Sequence, residues 1–582
     1  MEFGAISHRS AFTDCYARDD NEIVINLRTG KDITAVSIIH NDPFADGCMG
    51  IKPWSGHPAA MEKTWELKHH NIWSIRVRPR FKREQYYFSL TAGEENVLMF
   101  EDGFYTPEEA AKPGRLKQYY KFPWLNSADV IRPPQWVNET VWYQIMPDRF
   151  CRGDQGKKRF LLRSWENYGK VHGWDYFGGD LKGITDKLEY LRDLGINGIY
   201  MTPMFLSNTN HKYNTFDYDA IDPDFGTEED LIRLVEKAHS LGIRVMLDAV
   251  FNHSGTEFAP WQDVKKNGPD SPYWDWFFVN QWPLPKLPGS TEDGRFYTFA
   301  FVDMMPKLNT NNPEVIAYFT ERCKKWVEKW NIDGIRFDVG NEVSHRFLKD
   351  LNRALKAVKP EVFLLGEVWH DSVQWLQGDE YDSSMNYPFL QSIHNFWLDG
   401  TTSKDLMYAI SRCYTMYPEQ ISQVLFNFLD THDTMRAVTR CGGQDAFYQQ
   451  LALLMTMPGS ACIYYGTEIA LEGGDDPDCR RPMPWHRIEA GEFEKETELC
   501  RQLINLRRSY PEARQGTIAW KHFRQQRLVC YSRTVDGSRK LTVLLNAEDR
   551  ALKIHANGKL LFSRKYDDNI LKSGGVAIYL SE

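Results

Sequence analysis

From Val141 onward the chain alternates between short apolar, β-branched runs and longer stretches of helical period, and it does so eight times. The strand-like runs are Val141-Trp142-Tyr143-Gln144-Ile145, Gly198-Ile199-Tyr200-Met201, Arg244–Asp248, Ile332–Asp338, Val362–Glu367, Tyr381–Tyr387, Val424–Leu429 and Cys462–Tyr465. Helices are predicted over Thr185–Leu194, Glu228–Leu241, Pro313–Trp330 and Ser344–Val358, with others between the later strands. Continuous apolar strands separated by helices are strands buried on both faces, which is what a parallel sheet needs. Eight such units predict an α/β chain built as a (β/α)8 TIM barrel.

The barrel is placed at residues 138–512. One connection is too long for a simple crossover. Residues 254–310 carry Trp, Pro and Gly with little helical period and read as an inserted subdomain after strand three, over the C-terminal face of the barrel. Residues 1–120 switch to a period of two, with Ile23, Ile25 and Leu27, then Val36 and Ile38, then Trp73, Ile75 and Val77, then Tyr86, Phe88 and Leu90. That pattern predicts an N-terminal β-sandwich. A Pro-rich stretch follows, with Pro113-Gly114, Pro123 and Pro133-Pro134, and 121–137 is read as linker. Residues 513–582 return to period two in Leu528–Tyr531, Leu541–Leu545 and Val576–Leu580 and predict a smaller C-terminal β-sandwich.

The formal net charge of −9 comes with no long basic run, which argues against nucleic acid as the main partner. The start, Met1 to Arg9, lacks a charged segment followed by an apolar core, so no secretory signal is expected. No apolar run reaches the roughly 20 residues of a membrane helix. Ten scattered cysteines without CxxC spacing suit reduced thiols in a cytoplasm.

Barrel enzymes carry their chemistry at the C-terminal ends of strands. Four strand ends here hold polar residues that a core does not want: Asp248 to His253, Arg336 with Asp338, Glu367 to His370, and Asp430 to Asp433. Arg336 and Asp338 are two apart in a strand and point the same way. A guanidinium there is expected to hold the carboxylate ionised and lower its pKa. Taken alone, each end also fits a cap or a structural ion pair.

Together, in this order and spacing, these stretches resemble the α-amylase superfamily of glycoside hydrolases. The resemblance implies a covalent nucleophile at Asp338, a general acid/base at Glu367 and a transition-state stabiliser at Asp433. It implies that Arg336, His253 and His432 orient the nucleophile and hydrogen-bond the sugar, with Asp248 and Asn252 in support. Glu367 has no cation adjacent in sequence and would face acidic neighbours, so its pKa is expected to rise.

Finer matches narrow the group. Met146-Pro147-Asp148-Arg149-Phe150, Met305-Pro306-Lys307-Leu308-Asn309 and Gly340-Asn341-Glu342 look like neopullulanases, cyclomaltodextrinases and maltogenic amylases. The stretches around Tyr16-Ala17 and Asn41-Asp42-Pro43-Phe44 look like that group's extra N-terminal domain, which implies a homodimer. The resemblance also places Asp476 and Arg480 on the non-reducing side of the bound sugar, Trp369 on the leaving-group side, and Tyr213 under the cleaved ring; for these four a purely structural place in the core stays open. Gly340, where the group usually has Ala, is a departure expected to have little consequence. Several group members bind calcium in the loop after strand one. Here that loop is Cys151-Arg152-Gly153-Asp154-Gln155-Gly156-Lys157-Lys158, with Asp180 nearby. The expected outcome is no metal, with Arg152, Lys157 or Lys158 pairing with Asp154 or Asp180, or else a solvated basic loop. No cofactor is implied. The implied activity is retaining hydrolysis of α-1,4 bonds, with some α-1,6, in cyclomaltodextrins, maltooligosaccharides and pullulan. An α-1,6-glucosidase or transglycosylase and an inactive glycan-binding protein are the alternatives.

Overall fold

The structure is a computed structural model that describes residues 1–582 except 48–52, 113–116, 155, 157–159, 167–168, 285–288 and 556. Pro113 and Gly114 of the Pro-rich stretch therefore lie outside the described residues. The chain separates into two compact units: Met1–Arg132 with Thr402–Ser422, and Pro133–Thr401 with Gln423–Glu582.

The first unit is a β-sandwich. One sheet has four strands in the order Cys15–Ala17, Ile23–Thr29, Asn71–Val77 and Glu62–Glu66. The other runs His57–Ala60, Ala35–Asn41, Glu84–Ala92, Glu95–Phe100 and Gly103–Tyr105, with Tyr120–Phe122 also pairing Glu84–Ala92. Alternate residues of both sheets, among them Ile23, Ile25, Leu27, Ile38, Phe88 and Leu90, meet in one core. His8 is buried in it between Asn26 O (2.7 Å) and Tyr86 Oη (2.9 Å), and burial lowers its pKa to about 4. The helix Ser403–Thr415, started by a Thr402–Asp405 capping box, belongs to this unit although the barrel's sequence surrounds it. Tyr408 donates to Glu66 (3.2 Å), and Glu419 takes both Arg18 and Arg76.

The second unit is built on eight parallel strands: β1 (Val141–Ile145), β2 (Gly198–Met201), β3 (Arg244–Ala249), β4 (Gly334–Phe337), β5 (Phe363–Gly366), β6 (Ser383–Ser384), β7 (Phe426–Phe428) and β8 (Ser460–Tyr464). The hydrogen-bonded order runs from β6 through β5, β4, β3, β2, β1 and β8 to β7, and a parallel bridge from Met385 to Phe426 closes the ring. Trp142, Tyr200, Met246, Phe363, Leu365, Phe426 and Cys462 fill the interior. The sixth strand, Ser383–Ser384, is far shorter than the run Tyr381–Tyr387 expected to form it. Asn386 caps a helix there, Tyr387–Leu398, with Pro388 in the first turn, so the chain leaves the sheet early.

Residues between β3 and the helix Pro313–Lys329 form the insertion, with one helix at Ala259–Asn267 and isolated bridges such as His253 to Lys307 and Phe277 to Leu308. Lys307 Nζ donates to Asn252 Oδ1 and pairs with Glu342 at 3.0 Å, tying the insertion to the ends of β3 and β4. After the barrel come six antiparallel strands in one hydrogen-bonded sheet, from Thr517–Trp520 to Ile570–Ser581. Among the described residues no helix is long and apolar enough to cross a membrane.

Candidate active site

Strand register sets the site. Asp248 of β3 stands opposite Arg336 of β4, and Phe337 opposite Gly366 of β5. One residue further, the pairing continues: Asp338 N donates to Ala249 O and Glu367 N to Phe337 O, both at 3.0 Å. Asp338 and Glu367 are therefore cross-strand neighbours on adjoining strands, which run about 4.8 Å apart.

Arg336, wholly buried, lies between three carboxylates. Its Nη1 donates to both oxygens of Asp248 at 2.9 Å and to Asp338 Oδ1 at 3.0 Å. Its Nη2 is 2.9 Å from Glu367 Oε2, an ion pair in which the N–H bonds aim elsewhere. Arg336 pulls the Asp338 pKa down as expected, but it does not win: the net shift is upward. Burial pushes the Asp338 carboxyl well above the usual carboxylate range, and Glu367, Asp248 and Asp433 add to the rise against the pull of Arg336. Asp248 is raised for the same first reason, although Arg336, Tyr200 and Tyr213 pull the other way. One cation shared among several buried acids does not neutralise them all, so the cluster holds a proton to higher pH than isolated carboxyls do. Nor is Glu367 without a cation, as its sequence neighbours suggested: barrel closure brings Arg336 to it.

On the β1 and β7 side a single chain of hydrogen bonds runs into Asp248. Gln144 Nε2 can only donate, so His432 Nδ1 accepts from it (2.8 Å) and the imidazole proton is on Nε2. Nε2–H then points to Tyr213 Oη (2.7 Å), and Tyr213 donates to Asp248 (2.9 Å) beside Tyr200 (2.6 Å). Burial and the cations Arg480 and Arg336 push the His432 pKa well down, which keeps it neutral. Tyr213 and His432 lie parallel, their rings 5.3 Å apart. His253 is neutral too: burial takes it to about 3, and its Nε2 donates to Tyr213 O (3.2 Å), its ring stacked on Phe299. Asn252 lies beside its other nitrogen at 3.3 Å.

Asp433 completes the ring of acids. Its Oδ1 meets Arg480 Nη2 at 3.2 Å, and Oδ2 is 3.3 Å from His432 Nε2. Arg480 also holds Asp476 at 3.0 Å, and burial raises the Asp476 carboxyl in spite of that pair. Trp369 is 45% exposed, lies on Tyr387 with ring centres 3.8 Å apart, and donates to Glu367 Oε1 at 3.2 Å. Glu367 Oε2 accepts Val339 N–H at 2.9 Å. Val339, a β-branched residue, adopts φ +46°, a strained conformation of the kind that collects at functional sites.

The residues singled out in the sequence thus converge on one end of the barrel. Comparison with known proteins accords with that arrangement. Residues 144–527 match the family described as "Alpha amylase, catalytic domain", and residues 1–126 match "Alpha amylase, N-terminal ig-like domain".

The chain belongs to the α-amylase family of glycoside hydrolases.

Within that family it falls in the cyclomaltodextrinase, maltogenic amylase and neopullulanase group. It is 40% identical over 572 residues to a cyclomaltodextrinase of Geobacillus thermopakistaniensis (strain MAS1), covering 96% of this chain and 94% of that protein. It is 40% identical over 545 residues to an intracellular maltogenic amylase of Bacillus subtilis, covering 92% and 90%. A solved cyclomaltodextrinase structure superposes with TM-score 0.88 at 34% identity, covering 100% of this chain and 98% of that one.

This α-amylase-family chain also carries contacts that reading the sequence did not find. Gln144, Tyr200 and Tyr387 are polar groups inside otherwise apolar runs, which was the only signal they offered. Gly340 is a correction. A Cβ there would stand 2.8 Å from Tyr381 Oη and 3.2 Å from both Glu367 N and Glu367 O, so a methyl group does not fit freely.

The described residues of the loop after β1 do not offer calcium a free set of oxygens. Asp180 Oδ1 accepts Gly153 N (3.0 Å) and Gly183 N (2.8 Å), and Oδ2 accepts Asp154 N (2.9 Å). Lys182 Nζ takes Gly153 O at 2.9 Å, and Arg152 takes Phe177 O. Acceptors that calcium needs six to eight of are already bound to N–H groups. Among the described residues the cations here are Arg152, which bonds a carbonyl and not Asp154 or Asp180 as expected, and, unforeseen, Lys182; Lys157 and Lys158 lie outside the described residues.

Proposed function

We propose that this chain is an intracellular, retaining α-glucan hydrolase acting on cyclomaltodextrins, short maltooligosaccharides and pullulan. The observation that carries the reading is the cross-strand pair Asp338 and Glu367 on one guanidinium. Retaining glycosidases hold their two carboxyls about 5 Å apart, the spacing of adjoining strands.

In the first step a carboxylate oxygen of Asp338 attacks the anomeric carbon while the glycosidic C–O bond breaks. Glu367 gives its proton to the departing oxygen. This step needs Asp338 as the carboxylate, and Arg336 Nη1 donating to Asp338 Oδ1 favours that form. In the second step water attacks the glycosyl ester, Glu367 takes the water proton, and Asp338 leaves as carboxylate. Asp433, fixed by Arg480, offers negative charge to the oxocarbenium-like transition state. Asp248 and Asn252 hold Arg336, Lys307 and the rings in place. Tyr213 stacks beneath the sugar, and His253 and His432, both neutral, hydrogen-bond its hydroxyls. Asp476 and Arg480 take the non-reducing side. Trp369, exposed and touching Glu367, takes the leaving-group side; the same ring could seat an acceptor sugar, which supports some transglycosylation. A homodimer follows from the resemblance of the N-terminal stretches, and a cytoplasmic location accords with the relative named an intracellular maltogenic amylase.

The test is release of reducing sugar from β-cyclodextrin against starch. Faster cleavage of β-cyclodextrin is expected. Cleavage of neither, or of α-1,6 bonds alone, would contradict the reading.

A further inference from the structure

Trp174 is the most exposed tryptophan among the described residues, with 76% of its surface open. It is not on a loose loop. His172, Gly173, Trp174 and Asp175 make a tight turn closed by Asp175 N to His172 O at 3.1 Å. The Asp175 carboxylate accepts His172 N at 2.7 Å and pairs with Arg163. The His172 ring, itself exposed, lies beside the indole, 5.0 Å away and within 6° of parallel.

Buried side chains of the barrel hold this turn. Asn210, 3% exposed, donates to both Gly173 O (2.9 Å) and Asp175 O (2.7 Å). Arg149, 0% exposed, donates to Asp175 O (2.7 Å) and, with its other nitrogen, to Arg480 O (2.6 Å). Val171 N donates to Asp478 Oδ1 at 3.0 Å. One guanidinium therefore bonds the carbonyl after Trp174 and the carbonyl of Arg480, whose side chain meets Asp433 and Asp476.

A flat aromatic face whose backbone is fixed by buried polar groups, and which is open to water, is a preordered surface for an apolar ring face. An α-glucan presents the matching surface, the apolar C–H face of a glucosyl ring. From this we infer that Trp174, backed by His172, is a further sugar-binding platform on the non-reducing side, beyond the ring taken by Asp476 and Arg480. This rests on the glucan reading above. Its consequence is specificity: the platform engages substrates long enough to reach past Arg480 and gives short ones nothing.

The test compares Trp174→Ala and Trp174→Phe with the parent on maltotriose and maltoheptaose. One stacked ring contributes enough to lower the maltoheptaose-to-maltotriose ratio of kcat/KM about fivefold in Trp174→Ala. Trp174→Phe is expected to recover most of the ratio. Binding is followed separately by tryptophan fluorescence in Glu367→Gln protein titrated with maltoheptaose. Quenching lost on Trp174→Ala supports the platform. An unchanged ratio with unchanged maltoheptaose affinity overturns it, as does a loss equal on both substrates. If the parent cleaves neither sugar, the glucan-hydrolase reading fails, and the titration still decides whether Trp174 binds a glucan.

Discussion

Asp338 and Asp180 are both acidic residues near the C-terminal ends of barrel strands, and they are built oppositely. Asp180 spends its oxygens on the amides of Gly153, Asp154 and Gly183 and caps the helix Leu181–Asp186. Asp338 has one side-chain donor, Arg336, which it shares with Asp248 and Glu367. A carboxylate saturated by N–H groups is a structural part. A buried carboxylate that must share a cation is held at high free energy and is ready to react. Removing one should cost stability, and removing the other should cost chemistry.

The largest expected effect is on Asp338→Asn, with turnover down by about 10⁴-fold or more, since an amide cannot form the glycosyl ester. Its melting temperature is expected to hold or rise, because a buried acid is removed. Asp180→Ala should do the reverse: a loss of about 2 kcal/mol in stability, with turnover per folded molecule kept. Denaturant melts and active-site titration of both variants check the pair, and a swap of these outcomes would break the comparison.

Gly340→Ala is expected to cost about 1–3 kcal/mol, because the new methyl meets the Tyr381 hydroxyl and the Glu367 backbone. Adding Tyr381→Phe removes that clash and should return part of the loss. Additive effects in a double-mutant cycle would contradict it.

The pH profile sharpens the same contrast. The raised Asp338 pKa means that the nucleophile stays protonated to higher pH, so the acid limb of kcat/KM lies above the ordinary Asp range. Asp248 is one of the charges that raise it. In Asp248→Asn the limb should move to lower pH, whatever the loss in absolute rate. A limb that stays put or moves up would count against the shared-cation account.

The smallest effect concerns metal. With Lys182 and Arg152 already on the loop carbonyls, EDTA is expected to leave activity and melting temperature unchanged, and added calcium to raise neither. A calcium-dependent rise of several degrees in a thermal melt would show a site that these residues do not exclude.

The barrel was legible because each strand is an apolar run with its own turn signals. Two features were not. The sixth run, Tyr381–Tyr387, is the least apolar of the eight, with Asp382, Ser383, Ser384 and Asn386, and Asn386 caps a helix that begins at its end. The helix Ser403–Thr415 reads as a helix from its Thr402 cap, and nothing local says that it belongs with Trp65 and Glu66 of the first unit. In the site, period two places Arg336 and Asp338 on one face. Alternation along one strand says nothing of the next strand, so the reach of Arg336 to Glu367, and with it the reversed pKa of Asp338, appears only when the barrel closes. Lys182 was missed because the cation comes from the helix that Asp180 caps, not from the loop itself.

The central claim is that Asp338 attacks the anomeric carbon while Glu367, its cross-strand neighbour, supplies the proton. Proton NMR of the first minutes of maltooligosaccharide hydrolysis reads this directly, before mutarotation mixes the anomers. Two displacements predict that the new reducing end appears first as the α-anomer. A β-anomer would mean a single displacement by water, and Asp338 would not be the nucleophile.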